Sequence, residues 1–238
     1  CKPGQVDTFS SVLRISADGQ QVSLIARGFR QPFLGYDPLS GQIAVSDQQG
    51  NWVPSTPVAF IKPGGFYGFR SGTADEDTPV VPPLTWIPHQ VCGAAGSIVW
   101  TREAKMGPLN DVPILISYNP PRLFQIHTDV DEQATQGGVT PLDLPDMAGP
   151  LLEGAVNPAD GLLYLVGFKI CGTSAAPAAF FGRLRANPAK TWTLPNRTRT
   201  ARRGILLRFE QPLNPKSVQQ PQAFSVRHWN YKRTGDYG

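Results

Sequence analysis

Cysteine is scarce in this sequence of 238 residues, and its spacing excludes several kinds of site. The three cysteines, Cys1, Cys92 and Cys171, form neither a C-x-x-C nor a C-x-x-C-H motif. A cysteine-based zinc site and a covalently attached c-type haem are therefore not expected within the chain. Cys92 and Cys171 could pair, but the odd count and the long separation favour two buried thiols.

Long apolar runs are missing, and the excess of positive charge is modest. No stretch approaches the roughly 20 apolar residues of a membrane-spanning helix, and no signal peptide is recognisable. The formal net charge is +4, much of it within residues 197–208. Because nucleic-acid binding needs a broader basic face with interleaved aromatic residues, we do not expect that function. G-x-S-x-G, H-E-x-x-H and phosphate-binding glycine motifs are also absent.

Helical periodicity is almost absent, because 24 glycines and 24 prolines interrupt nearly every window. Short runs rich in β-forming residues alternate instead with turn signals, which predicts an all-β fold of meandering antiparallel strands. The predicted strands cover residues 12–15, 21–25, 42–46, 58–61, 98–100, 114–117, 123–127, 162–166 and 180–185.

Two segments predict the same hairpin, and together with a third they predict blades of a β-propeller. Residues 35–41 (GYDPLSG) and 154–161 (GAVNPADG) both place an Asx-Pro turn, closed by Gly, before an apolar strand. Residues 114–127 predict a further hairpin between them. With blades of roughly 40–60 residues, about three four-stranded blades fit into residues 1–190. So few blades leave the ring open, and the chain lacks an initiator Met, so we expect a fragment.

The sequence becomes more polar and rich in arginine and threonine after residue 190. Residues 191–203 are predicted to be a polar linker, and residues 204–238 the first strands of an Ig-like β-sandwich. In that segment, residues 204–210 alternate as a half-buried strand, residues 211–218 form a turn, and residues 223–229 form a second strand.

Several motifs, in order along the chain, resemble the propellers of PVC-type haem-binding proteins. These are large secreted or periplasmic bacterial proteins, often described as membrane-bound-dehydrogenase-like. Their propellers are similar to those of soluble quinoprotein glucose and sorbosone dehydrogenases, and residues 204–226 look like the Ig-like strands that follow. The motifs are residues 47–52 (DQQGNW), 64–68 (GGFYG), 86–89 (WIPH), 157–161 (NPADG) and 227–231 (RHWNY).

The resemblance implies a site for pyrroloquinoline quinone and calcium. In the sugar dehydrogenases an Arg-Asn pair precedes a blade strand, and a Gln-Gly-Pro loop after that strand holds the calcium beneath the quinone. The matching positions here are Arg30 and Gln31 before the strand and Gln49, Gly50 and Asn51 after it. Arg30 and Gly50 match that pattern, whereas Gln31 and Asn51 depart from it. The catalytic histidine of those enzymes lies in an earlier blade, which this chain lacks.

The residue types at this loop suit two interpretations. Asp47, Gly50 and Asn51 are candidate calcium ligands, because carboxylate, amide and backbone oxygens surround a flexible glycine. The alternative is a loop held together by its own Asn and Gln side chains. Likewise, the guanidinium fork of Arg30 suits a quinone carboxylate, but the residue could simply brace a blade.

Histidines and acidic runs offer weaker candidates. His89, after a Trp and a Pro, is a candidate cofactor-binding residue facing the channel, or a hydrogen-bonded structural residue. We expect His127 to cap a hairpin and His228 to be structural. Residues 75–77 and 129–132 are acidic, but we expect them to be solvated turns, since they lack the spacing of a calcium loop.

Two functions remain open at this point. By resemblance, the intact protein would be a periplasmic or extracellular dehydrogenase that oxidises a sugar or alcohol with a quinone. It would pass electrons to a c-type cytochrome. The alternative is a non-catalytic propeller scaffold that binds carbohydrate or a protein partner beside a haem domain.

Overall fold

The computed structural model describes residues 10–70, 77–130, 135–142, 144, 147, 149–170 and 172–237. Nearly all regular structure in these ranges is β-strand, which confirms the predicted all-β class. In the described residues no helix has both the length and the apolar character needed to span a membrane. Cys1, Cys171 and parts of the acidic segments 75–77 and 129–132 lie outside the described residues.

Two successive four-stranded antiparallel sheets and a third sheet of three strands form the blades of a partial propeller. The strands of the blades are β3 Phe33–Tyr36, β4 Ile43–Ser46, β5 Thr56–Phe60, β7 Thr85–Ile87, β8 Ala94–Trp100, β9 Pro113–Asn119, β10 Arg122–Val130, β11 Thr135–Leu142, β12 Glu153–Val156, β13 Leu163–Phe168 and β14 Ala179–Leu184. The first blade has strand order β3-β4-β5-β7, the second β11-β10-β9-β8 and the third β12-β13-β14.

Two smaller sheets flank the blades. Before the first blade, β1 (Ser11–Ile15) and β2 (Val22–Arg27) form a hairpin, and β6 (Gly65–Phe66) adds to β2 in parallel. After the third blade, β15 (Pro195–Ala201) and β16 (Gly204–Phe209) pair antiparallel. A single helical turn, α1 (Pro215–Val218), then begins behind an Asn214 cap that accepts the N–H of Lys216.

The second blade is packed on both faces, and the alternation of its side chains explains how. Leu115 and Phe124 join the cluster shared with the first blade, whereas Ile114, Ile116 and Leu123 join the cluster shared with the third. All five side chains are fully buried. Successive residues of a strand point to opposite faces, so one strand serves both cores. Each such burial stabilises the fold by roughly 1.5–3 kcal/mol.

The first two blades approach each other closely at Gly35. A Cβ atom there would collide with the backbone carbonyl of Ile98 on β8. Beside this contact, the guanidinium of Arg102 donates to both oxygens of Asp37, at 2.8 Å from Nε and 2.7 Å from Nη2. A glycine contact and a two-pronged ion pair therefore hold the two blades together.

The repeated hairpin predicted from the Asx-Pro-Gly pattern is confirmed. The Gly41 N–H donates to the carbonyl of Asp37 at 2.8 Å, and the Gly161 N–H to that of Asn157 at 2.7 Å. Both glycines have left-handed backbones, with φ of +73° and +74°. This conformation suits glycine, because a side chain would be strained there.

The end of the chain differs from the prediction in three ways. Residues 223–229, predicted as a strand, form no strand, and residues 215–218, predicted as part of a turn, form a helical turn. The partner of β16 is β15, which occupies most of the segment predicted as a polar linker. Threonines alternate with arginines in β15, and the backbone N–H and hydroxyl of Thr200 both donate to Asp129 on β10. This anchoring to the second blade was not visible in the local sequence.

Candidate functional site

Asp47, directly after β4, organises the loop at the end of the first blade. Its carboxylate accepts three backbone N–H groups, from Arg30 at 2.8 Å, Gln31 at 2.7 Å and Gln48 at 2.8 Å. Two of these donors belong to the connection between β2 and β3, so the carboxylate ties that connection to the end of β4. The side chain is buried, and these bonds satisfy the acceptor groups that burial removes from water.

Burial also changes the acidity of this group. Desolvation raises the pKa of Asp47 to about 6, while the three N–H donors and the nearby charge of Arg30 act in the opposite direction. Desolvation prevails because the ionised carboxylate loses more water than three hydrogen bonds replace. The loop therefore contains a carboxyl group that changes charge slightly below neutral pH.

Gly50 lets the loop close against the side chain of Arg30. The N–H of Gly50 donates to the carbonyl of Val53 at 2.8 Å, and the reverse bond measures 3.0 Å. A Cβ atom on Gly50 would run into the Arg30 side chain. The Arg30 guanidinium lies 5.3 Å from the ring centre of Tyr237, and it forms no ion pair with a described acid. Arg30 is thus a cation that is held in place, lies against an aromatic ring and forms no ion pair with a described acid.

The two candidate glutamines do not project together from the loop. Gln49 is 5% exposed, and its side-chain carbonyl accepts from Nε2 of Gln48 at 2.8 Å. Gln48 also donates to the carbonyl of Gly93 at 2.9 Å, which links the loop to the start of the second blade. Gln31 is exposed, and its described contact with the loop is through its backbone. These contacts match the self-bonded loop, the alternative that the sequence left open.

The C-terminal segment, residues 227–237, folds back onto this loop. The side chain of Asn51 donates to the carbonyl of Gly235, and the N–H of Trp52 donates to that of Thr234 at 2.7 Å. In return, Nη1 of Arg233 donates to the carbonyl of Trp52 at 3.0 Å. Trp52 has a φ of +65°, an uncommon backbone for a large side chain, and the segment brackets it on both sides.

Arg233 enters a small, mostly apolar pocket that also contains Asp47. Phe29, Val53 and Tyr67 are among the other residues of its lining. Burial, aided by repulsion from Arg70, lowers the pKa of Arg233, and attraction to Asp47 partly offsets this. The two opposite charges therefore share one poorly solvated space without the close contact of an ion pair.

The described oxygens do not form a calcium cage. The carboxylate of Asp47 accepts hydrogen bonds from backbone N–H groups, and the buried side-chain carbonyl of Gln49 accepts one from Gln48. The side chain of Asn51 donates a hydrogen bond to the C-terminal segment. Within the described ranges, no three His, Cys, Asp or Glu side chains come together as a metal-binding group. Calcium normally takes six to eight oxygen ligands, so the present arrangement does not fit that ion. The assignment of Asp47, Gly50 and Asn51 as ligands stays a prediction.

Two solved structures are similar to this chain. One is an oxidoreductase (glucose dehydrogenase) from Thermus thermophilus, with 22% identity and a TM-score of 0.45 over 60% of this chain and 41% of that one. The other is the PQQ-bound form of an aldose sugar dehydrogenase from Streptomyces coelicolor, with 16% identity and a TM-score of 0.47 over 66% and 45%.

These likenesses concern the fold alone. The chain spans less than half of the length of either structure. No protein-family model matches the chain, and neither does any curated protein.

The histidines lie apart from the loop. His89 is exposed on the turn after β7, near Gly93, and no described hydrogen bond or ion pair joins it to Arg30 or Gly50. His127 is buried within the second blade, where Nε2 lies 2.8 Å from the hydroxyl of Thr140 and burial lowers its pKa. It therefore sits inside the sheet instead of capping a hairpin.

Cys92 is a buried free thiol whose pKa burial raises to about 11, as expected for a structural cysteine.

Sequence reasoning missed Arg233 and Tyr237 as parts of the site. Both follow residues 223–229, which were predicted as a strand of a separate sandwich, and both contact residues more than 180 positions earlier. The only local signal was the unusual density of aromatic and basic residues in that segment. Nothing in the sequence specified where these residues dock.

Proposed function

We propose that the intact protein oxidises sugars or alcohols with a quinone cofactor, and that Arg30 of this chain binds a carboxylate of that cofactor. One observation carries the proposal. Arg30 is fixed through its backbone by Asp47, covered by the ring of Tyr237, and in no ion pair with a described acid. The sequence resemblance of Arg30 and Gly50 to a quinone site supports the same assignment.

The chemistry of the guanidinium suits this role. Its planar fork can donate two parallel hydrogen bonds to one carboxylate, and a cation stacked on an aromatic ring keeps its edge free for such a contact. A quinone, when bound, supplies the capacity to oxidise an alcohol carbon. The residues of this chain would bind and orient it, with Tyr237 excluding water from one face of Arg30.

Proton transfer is not assigned to this chain. Of its three histidines, His89 lies on an exposed turn, His127 is buried in the second blade and His228 is exposed in the C-terminal segment. None of them contacts Arg30 through a described interaction. The proposal therefore gives the chain a binding role and leaves the base to other blades of the intact protein.

Reconstitution of the full-length protein tests the proposed reaction. Pyrroloquinoline quinone would be added with and without calcium, and dye reduction followed with aldoses and simple alcohols. We expect reduction with at least one substrate class, and weaker activity in Arg30→Gln than in Arg14→Gln, a change on the exposed face of β1. Absence of dye reduction with every substrate, or equal activity of the two variants, would reject the proposal.

A non-catalytic scaffold is the second candidate, and one observation favours it. Asp47, Gln49 and Asn51, which were assigned to the quinone or the calcium site, are all engaged in hydrogen bonds within the chain. Such a loop would serve as a junction between the first blade and the C-terminal segment. Quinone-independent binding of a carbohydrate or protein partner, without dye reduction, would support this function. The narrower PVC-type family assignment and a periplasmic or extracellular location remain part of these proposals.

A further inference from the structure

Three aromatic rings from distant parts of the chain meet on one surface. Trp86 of β7 lies 5.5 Å from Tyr231, with the ring planes tilted by 46°. Tyr231 in turn lies 6.2 Å from Trp229 in an edge-on arrangement of 86°. We call Trp86, Trp229 and Tyr231 the aromatic platform. The platform was not part of the quinone assignment, which concerned Arg30 and the loop after β4.

The platform remains accessible to solvent. Trp229 is 49% exposed, and Trp86 and Tyr231 are half-buried. Removing the face of a large aromatic side chain from water is favourable. A group of exposed rings is therefore a common feature of binding surfaces. The tilt between the rings keeps them from stacking fully on one another. Ring surface is therefore left for a ligand.

The surroundings of the platform are cationic. Residues 227–237 contain three cations, Arg227, Lys232 and Arg233, and one acid, Asp236, which leaves a local charge of +2. None of the three cations forms an ion pair with a described acid. Arg227 and Lys232 are exposed, and salt screens such charges strongly.

Arg233 is the cation most closely joined to the platform. Its guanidinium lies 5.0 Å from the ring centre of Trp86, and it is half-buried, so it is poorly hydrated. A desolvated cation with no close counterion is costly, and a ligand carboxylate would offset that cost. Asp47 attracts it only from beyond ion-pair distance.

The ring geometry favours a sugar chain over a nucleic acid. Successive bases of a single strand stack best on rings that lie nearly parallel, whereas these rings are inclined at 46° and 86°. Puckered sugar rings present C–H faces in different directions along a glycan, which matches a faceted surface. Arg233 forms no ion pair with a described acid, which further favours a sugar that carries a negative charge.

We propose that the aromatic platform and Arg233 bind an acidic glycan, in which a sugar face stacks on Trp229 and a carboxylate pairs with Arg233. The choice of a glycan rests on the proposed sugar-oxidising function, whereas the platform itself is independent of the quinone. The site would hold a polymeric or oligomeric sugar beside the loop that contains Arg30.

Calorimetric titration of the full-length protein with hexagalacturonate tests this site. We expect binding that weakens roughly five- to tenfold in Trp229→Ala, in keeping with the value of one aromatic contact. Phe181→Ala provides the matched control, since that ring is 73% exposed on β14, and it should leave affinity unchanged. Arg233→Gln should weaken hexagalacturonate binding but leave any weak binding of neutral cellohexaose unaltered. Arg227→Gln, at an exposed position, should have a smaller effect than Arg233→Gln.

Three results would overturn the proposal. The first is no binding of hexagalacturonate to the wild type, and the second is equal hexagalacturonate affinity in Trp229→Ala and Phe181→Ala. The third is tighter binding of a thymidine hexanucleotide than of hexagalacturonate. The calorimetric titration measures glycan binding in the absence of quinone and of turnover. A protein that binds the glycan but fails to reduce dye would refute the proposed reaction alone, and loss of glycan binding with dye reduction intact would refute the platform alone.

Discussion

The carboxylate of Asp47 accepts the backbone N–H of Arg30 at 2.8 Å, across 17 residues of sequence. This bond fixes the turn from which the Arg30 side chain departs, and Gly50 leaves room for that side chain beside the loop. A buried acid thus positions a cation through the backbone without forming an ion pair with it. The guanidinium stays available for an anionic ligand, which is the basis of the proposed cofactor role.

Replacing Asp47 should disrupt the loop in proportion to the acceptors lost. Asp47→Ala would leave three backbone N–H groups without an acceptor, so we expect a loss of about 3 kcal/mol in the free energy of unfolding. Asp47→Asn keeps one acceptor oxygen and should lose less. Urea unfolding measures both, with the exposed Asp18→Asn as control. Equal stability of Asp47→Ala and the control would contradict the assigned role.

The raised pKa of Asp47 predicts an unusual pH dependence. Its pKa of about 6 in the folded protein exceeds the ordinary value of 3.8, so the folded state binds this proton more tightly than the unfolded state. The contribution of Asp47 to stability is greatest below pH ~4 and falls by about 3 kcal/mol as the pH rises through ~6. The difference in unfolding free energy between the wild type and Asp47→Asn should follow this curve. A flat difference between these pH values would show that the buried acid does not titrate as described.

Asp37 predicts the opposite behaviour. Arg102 holds the pKa of this buried carboxyl well below its usual range. Its stabilising contribution is therefore present above pH ~4 and is lost on further acidification. We expect Arg102→Gln to cost about 2 kcal/mol at neutral pH, and less in acid. The free energies of unfolding of Arg102→Gln and of the control Arg185→Gln, at an exposed position, would be compared at neutral and at acidic pH. A loss that does not shrink in acid would argue against the ion pair.

Close packing of the first two blades depends on Gly35. Gly35→Ala would push a methyl group into the carbonyl of Ile98, so we expect it to destabilise the protein by roughly 2 kcal/mol. Gly138→Ala is the control, because a Cβ there meets no atom within 4 Å. Thermal unfolding compares the two variants. Equal melting temperatures of the two variants would contradict the close approach of the two blades at Gly35.

Local turn chemistry made much of the fold predictable. The Asx-Pro-Gly turns ending at Gly41 and Gly161 were recognisable because only certain residues tolerate those backbone angles. Strand β11 was missed, since its Gly137, Gly138 and Pro141 are typical of loops. The structure gives one reason for Gly137: a Cβ there would collide with the carbonyl of His127. Such a requirement arises from a neighbouring strand and leaves no local pattern.

The candidate site was predictable in position but not in arrangement. The loop from Asp47 to Trp52 was identified from its polar residues and glycine, but the roles of its side chains depend on distant partners. Arg233 and Tyr237 reach the loop from the opposite end of the chain, and long-range docking of this kind is not encoded in spacing or periodicity. Residues 223–229 were predicted as a strand of a separate sandwich. They form no strand, and the residues that follow them contact the first blade.

Titration of the full-length protein with pyrroloquinoline quinone, followed through tryptophan fluorescence, tests the central claim most directly. If Arg30 binds a cofactor carboxylate, Arg30→Gln should weaken binding by about tenfold or more relative to the wild type. Arg14→Gln should bind as the wild type does. Equal affinity of the two variants, or no saturable binding to the wild type, would contradict the account.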